Sequence, residues 1–146
     1  MSKGSVLQAK NIVKDLGQGE GKVRALKGVS VSLNAGELTL LMGPSGSGKT
    51  TLLSILGCIL APTEGEVTIA GESLHGLGPE GLAELRRRHI GFIFQSYNLF
   101  PTLTATENVL LALDVRGMKP QEAKVKADVA LREVGLGHRL NNYPRN

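Results

Sequence analysis

The 146-residue sequence predicts an α/β protein built around a phosphate-binding loop, and three features carry that prediction. Two short runs without a charge, LTLLM at 38–42 and IGFIF at 90–94, have the composition of strands buried on both faces. Between an apolar strand pattern and an apolar helix pattern stands GPSGSGKT at 43–50, which fits G-x-x-x-x-G-K-[ST]. Further segments carry apolar residues at helical spacing behind helix-start signals.

Taken in chain order, SVLQAKNIVK at 5–14 and ALKGVSVSL at 25–33 read as half-buried strands. In the second, Val29, Val31 and Leu33 alternate with Ser30 and Ser32, and the Gly-rich DLGQGEGK joins the two. NAGE at 34–37 is a turn leading into LTLLM. After the glycine loop, TLLSILGCIL at 51–60 reads as a helix with its apolar side towards a sheet, punctuated by Pro62 and Gly65. EVTIAG at 66–71 is another strand, and PEGLAELRRRH at 79–89 a short helix opening on Pro79. IGFIF follows. TATENVLLALDVRG at 104–117 carries a capping box, Thr104 with Glu107, and predicts a helix ending near Gly117. A last helix runs from about Pro120 to Val134, with Ala123, Ala127, Ala130, Leu131 and Val134 on one face and Gly135 as its stop. There are no internal repeats and no low-complexity tracts.

The length suits one domain or part of one. A net charge of +4 without a long basic block leaves nucleic acid, acidic lipid and a phosphate ligand all open. The single cysteine, Cys58, lies in an apolar run, so it reads as a small buried hydrophobe and no internal disulfide is possible, as suits a reducing cytoplasm. MSKGSVLQAKN has no apolar signal core, and no run approaches the ~18 to 20 apolar residues that span a bilayer. Any membrane role then passes through a partner.

Each part of GPSGSGKT has a physical task. Gly43, Gly46 and Gly48 let the backbone wrap with its N–H groups inward, with Pro44, Ser45 and Ser47 between them. The positive end of the following helix adds to that field, making a nest for a β-phosphate. Lys49 reaches the β- and γ-phosphates as a flexible point charge, Thr50 offers its hydroxyl to Mg²⁺, and Thr51 helps hold the α-phosphate. The motif specifies a nucleoside triphosphate and leaves its purpose open, because kinases, GTPases, helicases and transporters share it.

A more specific resemblance rests on ALKGVSVSLNAGELTLLMGPSGSGKTTLLSILGCILAPTEGEVTIAG at 25–71, followed by RRRHIGFIFQSYNLFPTLTATENV at 86–109. Together these resemble the ATP-binding subunit of an ABC transporter, and within that family the lipoprotein-releasing and macrolide-export type. The resemblance covers nearly the whole chain. It implies the N-terminal portion of the ABC-type P-loop fold: an antiparallel β-subdomain, a Walker A strand-loop-helix and the start of a helical subdomain. The expected division places the core with its β-subdomain at about 1–94 and the Q-loop with the start of the helical subdomain at about 95–146.

The resemblance also assigns roles. Gln95 takes the Q-loop position, where a neutral amide can offer oxygen to Mg²⁺ and nitrogen to an attacking water from a hinge. Tyr97, Leu99, Phe100 and Leu103 fall where a permease coupling helix docks; by pattern alone they equally form a local cluster bracing the next helix. RRRH at 86–89 reads as a solvated helix end and not a nucleic-acid site, since no aromatic is interleaved with it. The implied setting is cytoplasmic and peripheral on the inner face of the cell membrane. ATP and Mg²⁺ are the implied ligands, with a membrane permease, a second nucleotide-binding subunit and, through the permease, a periplasmic adaptor as partners.

Two departures stand out. The family commonly sets an aromatic ring against adenine, but no Phe, Tyr or Trp precedes Phe92, and the matching position is Leu16. Adenine would rest on Leu16 and Val23, with weaker base discrimination than usual. Secondly, Tyr143 and Pro144 resemble the pair that precedes the LSGGQ signature, yet no signature, Walker B carboxylates, D-loop or switch histidine follows. His75, His89 and His138 all lie too early for the last role. The resemblance thus implies a chain truncated before the signature, with slight hydrolysis on its own and with missing strands between the Walker A strand and IGFIF. The alternative is a catalytically inactive nucleotide- or permease-binding module. A small-molecule kinase is disfavoured, because no substrate-binding lid follows the loop.

Overall fold

The computed structural model describes residues 5–144. They form two compact units, the first ending at Phe92 and the second beginning at Ile93.

The first unit is a four-stranded antiparallel sheet with two helices. Strands β1 (Ser5–Leu16), β2 (Val23–Asn34), β3 (Glu64–Ile69) and β4 (Glu72–Ser73) lie in the order β2-β1-β3-β4. Long β1 and β2 form a hairpin closed by a short 3-10 turn at Gly19–Gly21. Alternation sends Leu7 and Ala9 inward, but the next buried residue is Ile12, out of phase by one. A register shift between Ala9 and Ile12 supplies the extra residue, and Asn11 takes it up with φ of 50°, its amide donating to Ser30 Oγ at 2.9 Å. Gly65 on β3 faces this bulge with φ of 95°, and a Cβ there would stand 2.5 Å from the Asn11 carbonyl oxygen and 2.6 Å from that of Lys10. Only glycine fits. Val67 and Ile69 then continue the buried face, and the tight connection to β4 has positive φ at both Ala70 and Gly71, as two-residue hairpins require.

Helix α1 (Lys49–Leu56) buries Leu52, Ile55 and Leu56 against the sheet face that carries Leu7, Ala9, Ile12, Leu26, Val67 and Ile69. It is shorter than the 51–60 reading. The chain turns at Gly57, and Cys58, with φ of 55°, is fully buried in the core as expected. Helix α2 (Pro79–His89) has the predicted bounds and adds Leu82 and Leu85, while Arg86 Nη1 donates to the Cys58 carbonyl at 2.7 Å.

The second unit pairs α3 (Ala105–Val115) with α4 (Pro120–Glu133). The capping box is present in full: the Glu107 amide donates to Thr104 Oγ1 and the Thr104 amide to Glu107 Oε2. That second bond also holds the Glu107 carboxyl below its ordinary pKa. Asn108 secures the preceding loop, its Nδ2 donating to the carbonyls of Phe100, Leu103 and Thr104 and its Oδ1 accepting from the Phe100 amide. Residues 140–142 return to the start of α3, where the Ala105 and Thr106 amides donate to the Asn142 and Leu140 carbonyls. In α4 the buried face is Ala123, Ala127 and Leu131, whereas Ala130 and Val134, expected there, are exposed. The spacing explains it: 123, 127 and 131 keep one i, i+4 row, and 130 and 134 fall on its flank.

Two expectations fail. Neither LTLLM nor IGFIF is a strand of the sheet, so the Walker A unit is a loop and helix without its strand. Leu38 is 99% exposed, Leu40 and Met42 are exposed too, and Ile93 is 96% exposed. An apolar run encodes burial only where neighbours exist on both edges and both faces, and among the described residues the sheet has no strand beside 38–42. Ile90 and Phe92 do turn inward, Ile90 onto the core and the Phe92 ring against Gly57.

Candidate functional site

The described residues of the first unit form an open cleft of about 810 Å³ between the end of the β1–β2 hairpin and the glycine loop. Its floor is Ser45, Gly46, Ser47, Gly48, Lys49, Thr50 and Thr51. The cleft's other wall includes Leu16, Val23, Ala25 and Val29. Leu16 and Val23 are cross-strand partners in the register, which is why two residues seven apart in sequence meet at one rim.

Gly48 fixes the loop to the sheet. It stands at the N-cap of α1 with φ of 85°, and a Cβ there would lie 2.8 Å from the Ala25 carbonyl oxygen and 2.9 Å from Leu26 Cδ2. No larger residue allows the helix to begin so near β2. The first turn of α1 therefore opens directly into the cleft, where the amides of Lys49, Thr50 and Thr51 precede any intrahelical acceptor.

Lys49 folds back over the loop. Its Nζ donates to the carbonyls of Gly43 at 2.7 Å and Pro44 at 2.6 Å, with a longer contact to Ser47 Oγ at 3.4 Å. All ten residues assigned to the nucleotide thus lie in this unit: eight of the Walker A run with Thr51 around the loop, and Leu16 on the opposite wall. Gln95 belongs to a turn of the second unit and is exposed. The backbone just after it is unusual, with positive φ at Tyr97 (61°) and Asn98 (51°). Tyr97, Leu99 and Phe100 are exposed, and Leu103 is half-buried beside the loop that Asn108 secures.

Three residues at the cleft were missed. Arg24 and Lys27 line it, and Asp15, beside Leu16, holds Arg24 through two bonds, Nε to Oδ1 at 2.9 Å and Nη2 to Oδ2 at 3.2 Å. Lys22 Nζ is 3.0 Å from the same Oδ2. The Arg24 donors foremost, then Lys22, lower the Asp15 carboxyl to about 2. The signal was present in the hairpin: once Leu16 pairs with Val23, Asp15 must face Arg24.

As for metal, no group of three or more His, Cys, Asp or Glu side chains is gathered among the described residues. The Thr50 hydroxyl at the cleft floor suits Mg²⁺ only as one ligand beside phosphate oxygens and water, which is how Mg²⁺ is commonly held.

Residues 26–146 match the ABC transporter family. The chain is 49% identical over 139 residues to an uncharacterized ABC transporter ATP-binding protein of Thermotoga maritima, covering 95% of this chain and 59% of that one. It is 43% identical to the lipoprotein-releasing system ATP-binding protein LolD of Geobacter metallireducens (96% and 62% covered). It is 42% identical to the macrolide export ATP-binding/permease protein MacB of Marinobacter nauticus (99% and 22% covered). Among solved structures, a dimeric ATP-binding cassette in a post-hydrolysis state with ADP and Pi superposes with a TM-score of 0.87 at 41% identity, over 94% of this chain and 61% of that one. The chain thus spans about three-fifths of the length of its single-cassette relatives and has the N-terminal portion of their fold.

Proposed function

The chain belongs to the ABC transporter family, and from that premise we propose that it supplies the ATP-gripping part of a transporter's nucleotide-binding subunit. The observation that carries this reading is the cleft, in which the glycine loop, Lys49, the first turn of α1 and the apolar pair Leu16 and Val23 face one space. Loop amides and Lys49 bind the phosphates; Leu16 and Val23 take the base. Lys49 does so by exchanging the Gly43 and Pro44 carbonyls for β- and γ-phosphate oxygens. Thr50 and Gln95 are the proposed Mg²⁺ ligands from this chain, and the ion when bound offsets charge on those phosphates.

We assign about 1–94 to the core with its β-subdomain and about 95–146 to the Q-loop and the start of the helical subdomain. Gln95 and Lys49 are the candidate catalytic residues. The exposed Tyr97, Leu99 and Phe100 support docking to a membrane permease, which would hold the chain peripherally on the inner face of the membrane. No helix among the described residues is long and apolar enough to cross a membrane. Export of a lipoprotein or small amphiphile rests on the resemblance to LolD and MacB, homodimerisation on the likeness to dimeric cassettes, and an adaptor reached through the permease on the family resemblance alone. Titration calorimetry tests the core of this reading. ATP binds the chain and Lys49→Ala abolishes binding; unchanged binding by Lys49→Ala overturns the assignment.

A further inference from the structure

Apart from the loop, the cleft is lined mainly by aliphatic side chains, and among the described residues lining it none is aromatic. One planar group is present, the guanidinium of Arg24. It is arrested there by a fork of two bonds to Asp15, and Asp15 is itself held by Lys22 and nearly enclosed, its side chain 6% exposed. Such bonds engage the in-plane edge of a guanidinium, Nε and Nη2, and leave its two faces open. The Arg24 side chain remains 52% exposed. Arg24 follows Val23 on β2 and is among the residues that line the same cleft as Leu16 and Val23.

Resting on the nucleotide reading above, we propose that Arg24, clamped by Asp15, is the platform on which the nucleotide base stacks, a specificity-determining residue in a cleft without an aromatic ring. A planar cation over a π-face gains electrostatic attraction as well as contact area. The larger two-ring surface of a purine gains more than a pyrimidine, and adenine and guanine gain alike. Asp15 has a second effect: it balances the Arg24 charge locally, so that Arg24 contributes to the base and not to the phosphates.

Binding of ATP, CTP and inorganic tripolyphosphate to the chain, to Arg24→Ala and to Arg24→Lys separates base from phosphate recognition. Arg24→Ala weakens ATP by about two- to fivefold and CTP by less, and leaves tripolyphosphate unchanged, which also reports an intact loop. Arg24→Lys keeps the charge, loses the plane, and behaves as Arg24→Ala. An unchanged ratio of ATP to tripolyphosphate affinity in Arg24→Ala overturns the proposal, as does wild-type ATP binding by Arg24→Lys. A wild-type chain that binds neither triphosphate overturns the nucleotide reading itself, whereas tripolyphosphate bound normally with no effect of Arg24 on ATP removes the stacking role alone.

Discussion

At the scale of single residues, Leu16 and Asp15 sit side by side at the end of β1 and have separable consequences. In the proposed site Leu16 gives a base an aliphatic contact without a ring, and the expected outcome is comparable affinity for ATP and GTP. Leu16→Tyr restores an aromatic contact and tightens ATP roughly two- to tenfold, as equilibrium titration would show; an unchanged ATP affinity would remove Leu16 from the site. Asp15 has a folded-state pKa of about 2 against an ordinary 3.8, set by the Arg24 and Lys22 donors. A depressed carboxylate contributes stability that is whole above its unfolded pKa and is lost as pH falls through the folded one. Urea unfolding of the chain and of Asp15→Asn therefore differs most above about pH 4, and the two curves converge on acidification towards pH 2. The loop residues could be read from the sequence because the order of glycines, lysine and threonine states its own geometry. Arg24 could not, since its place depends on which residue of β1 it faces.

At the scale of elements, legibility follows from whether the signal is local. Helix α2 was bounded by Pro79 at its start and by RRRH at its end, and α3 by Thr104 and Glu107, all interactions within four residues. The bulge at Asn11 was not visible, because it answers to Gly65 on another strand. The glycine at which α1 ends also answers to a distant residue: the ring of Phe92 stands where any side chain at position 57 would go. The capping box yields a direct expectation. Thr104→Ala costs about 1 kcal/mol of stability, read as a lower urea midpoint with an unchanged slope, while the carboxyl of Glu107 stays below its ordinary pKa, because alanine keeps the residue 104 amide that chiefly lowers it. Asn108→Ala would instead release the loop that carries Phe100 and Leu103, leaving the helix start in place.

At the scale of the whole molecule, the apolar runs divide into those that found neighbours and those that did not. Sixteen apolar residues are buried among those described, thirteen of them in the first unit's core. Residues 38–42 were patterned for the same fate and present Leu38, Leu40 and Met42 to solvent, immediately before the glycine loop. A contiguous exposed run of this kind promotes association between chains. Sedimentation of the 146-residue chain shows concentration-dependent self-association, and Leu40→Lys reduces it while leaving tripolyphosphate binding in place; monodisperse wild-type chain at high concentration would contradict this. The lysine at the other end of that loop has a different consequence. Its ammonium has three hydrogens and meets two close acceptors, at 2.7 and 2.6 Å, with a third at 3.4 Å, so it is already engaged by its own loop. A ligand gains from Lys49 only by offering better acceptors than those it displaces, and anionic oxygens are better acceptors for an ammonium than neutral carbonyls, which makes the lysine a filter for charge: a phosphate can draw it away from the loop, and an uncharged ligand of the same shape leaves it where it was.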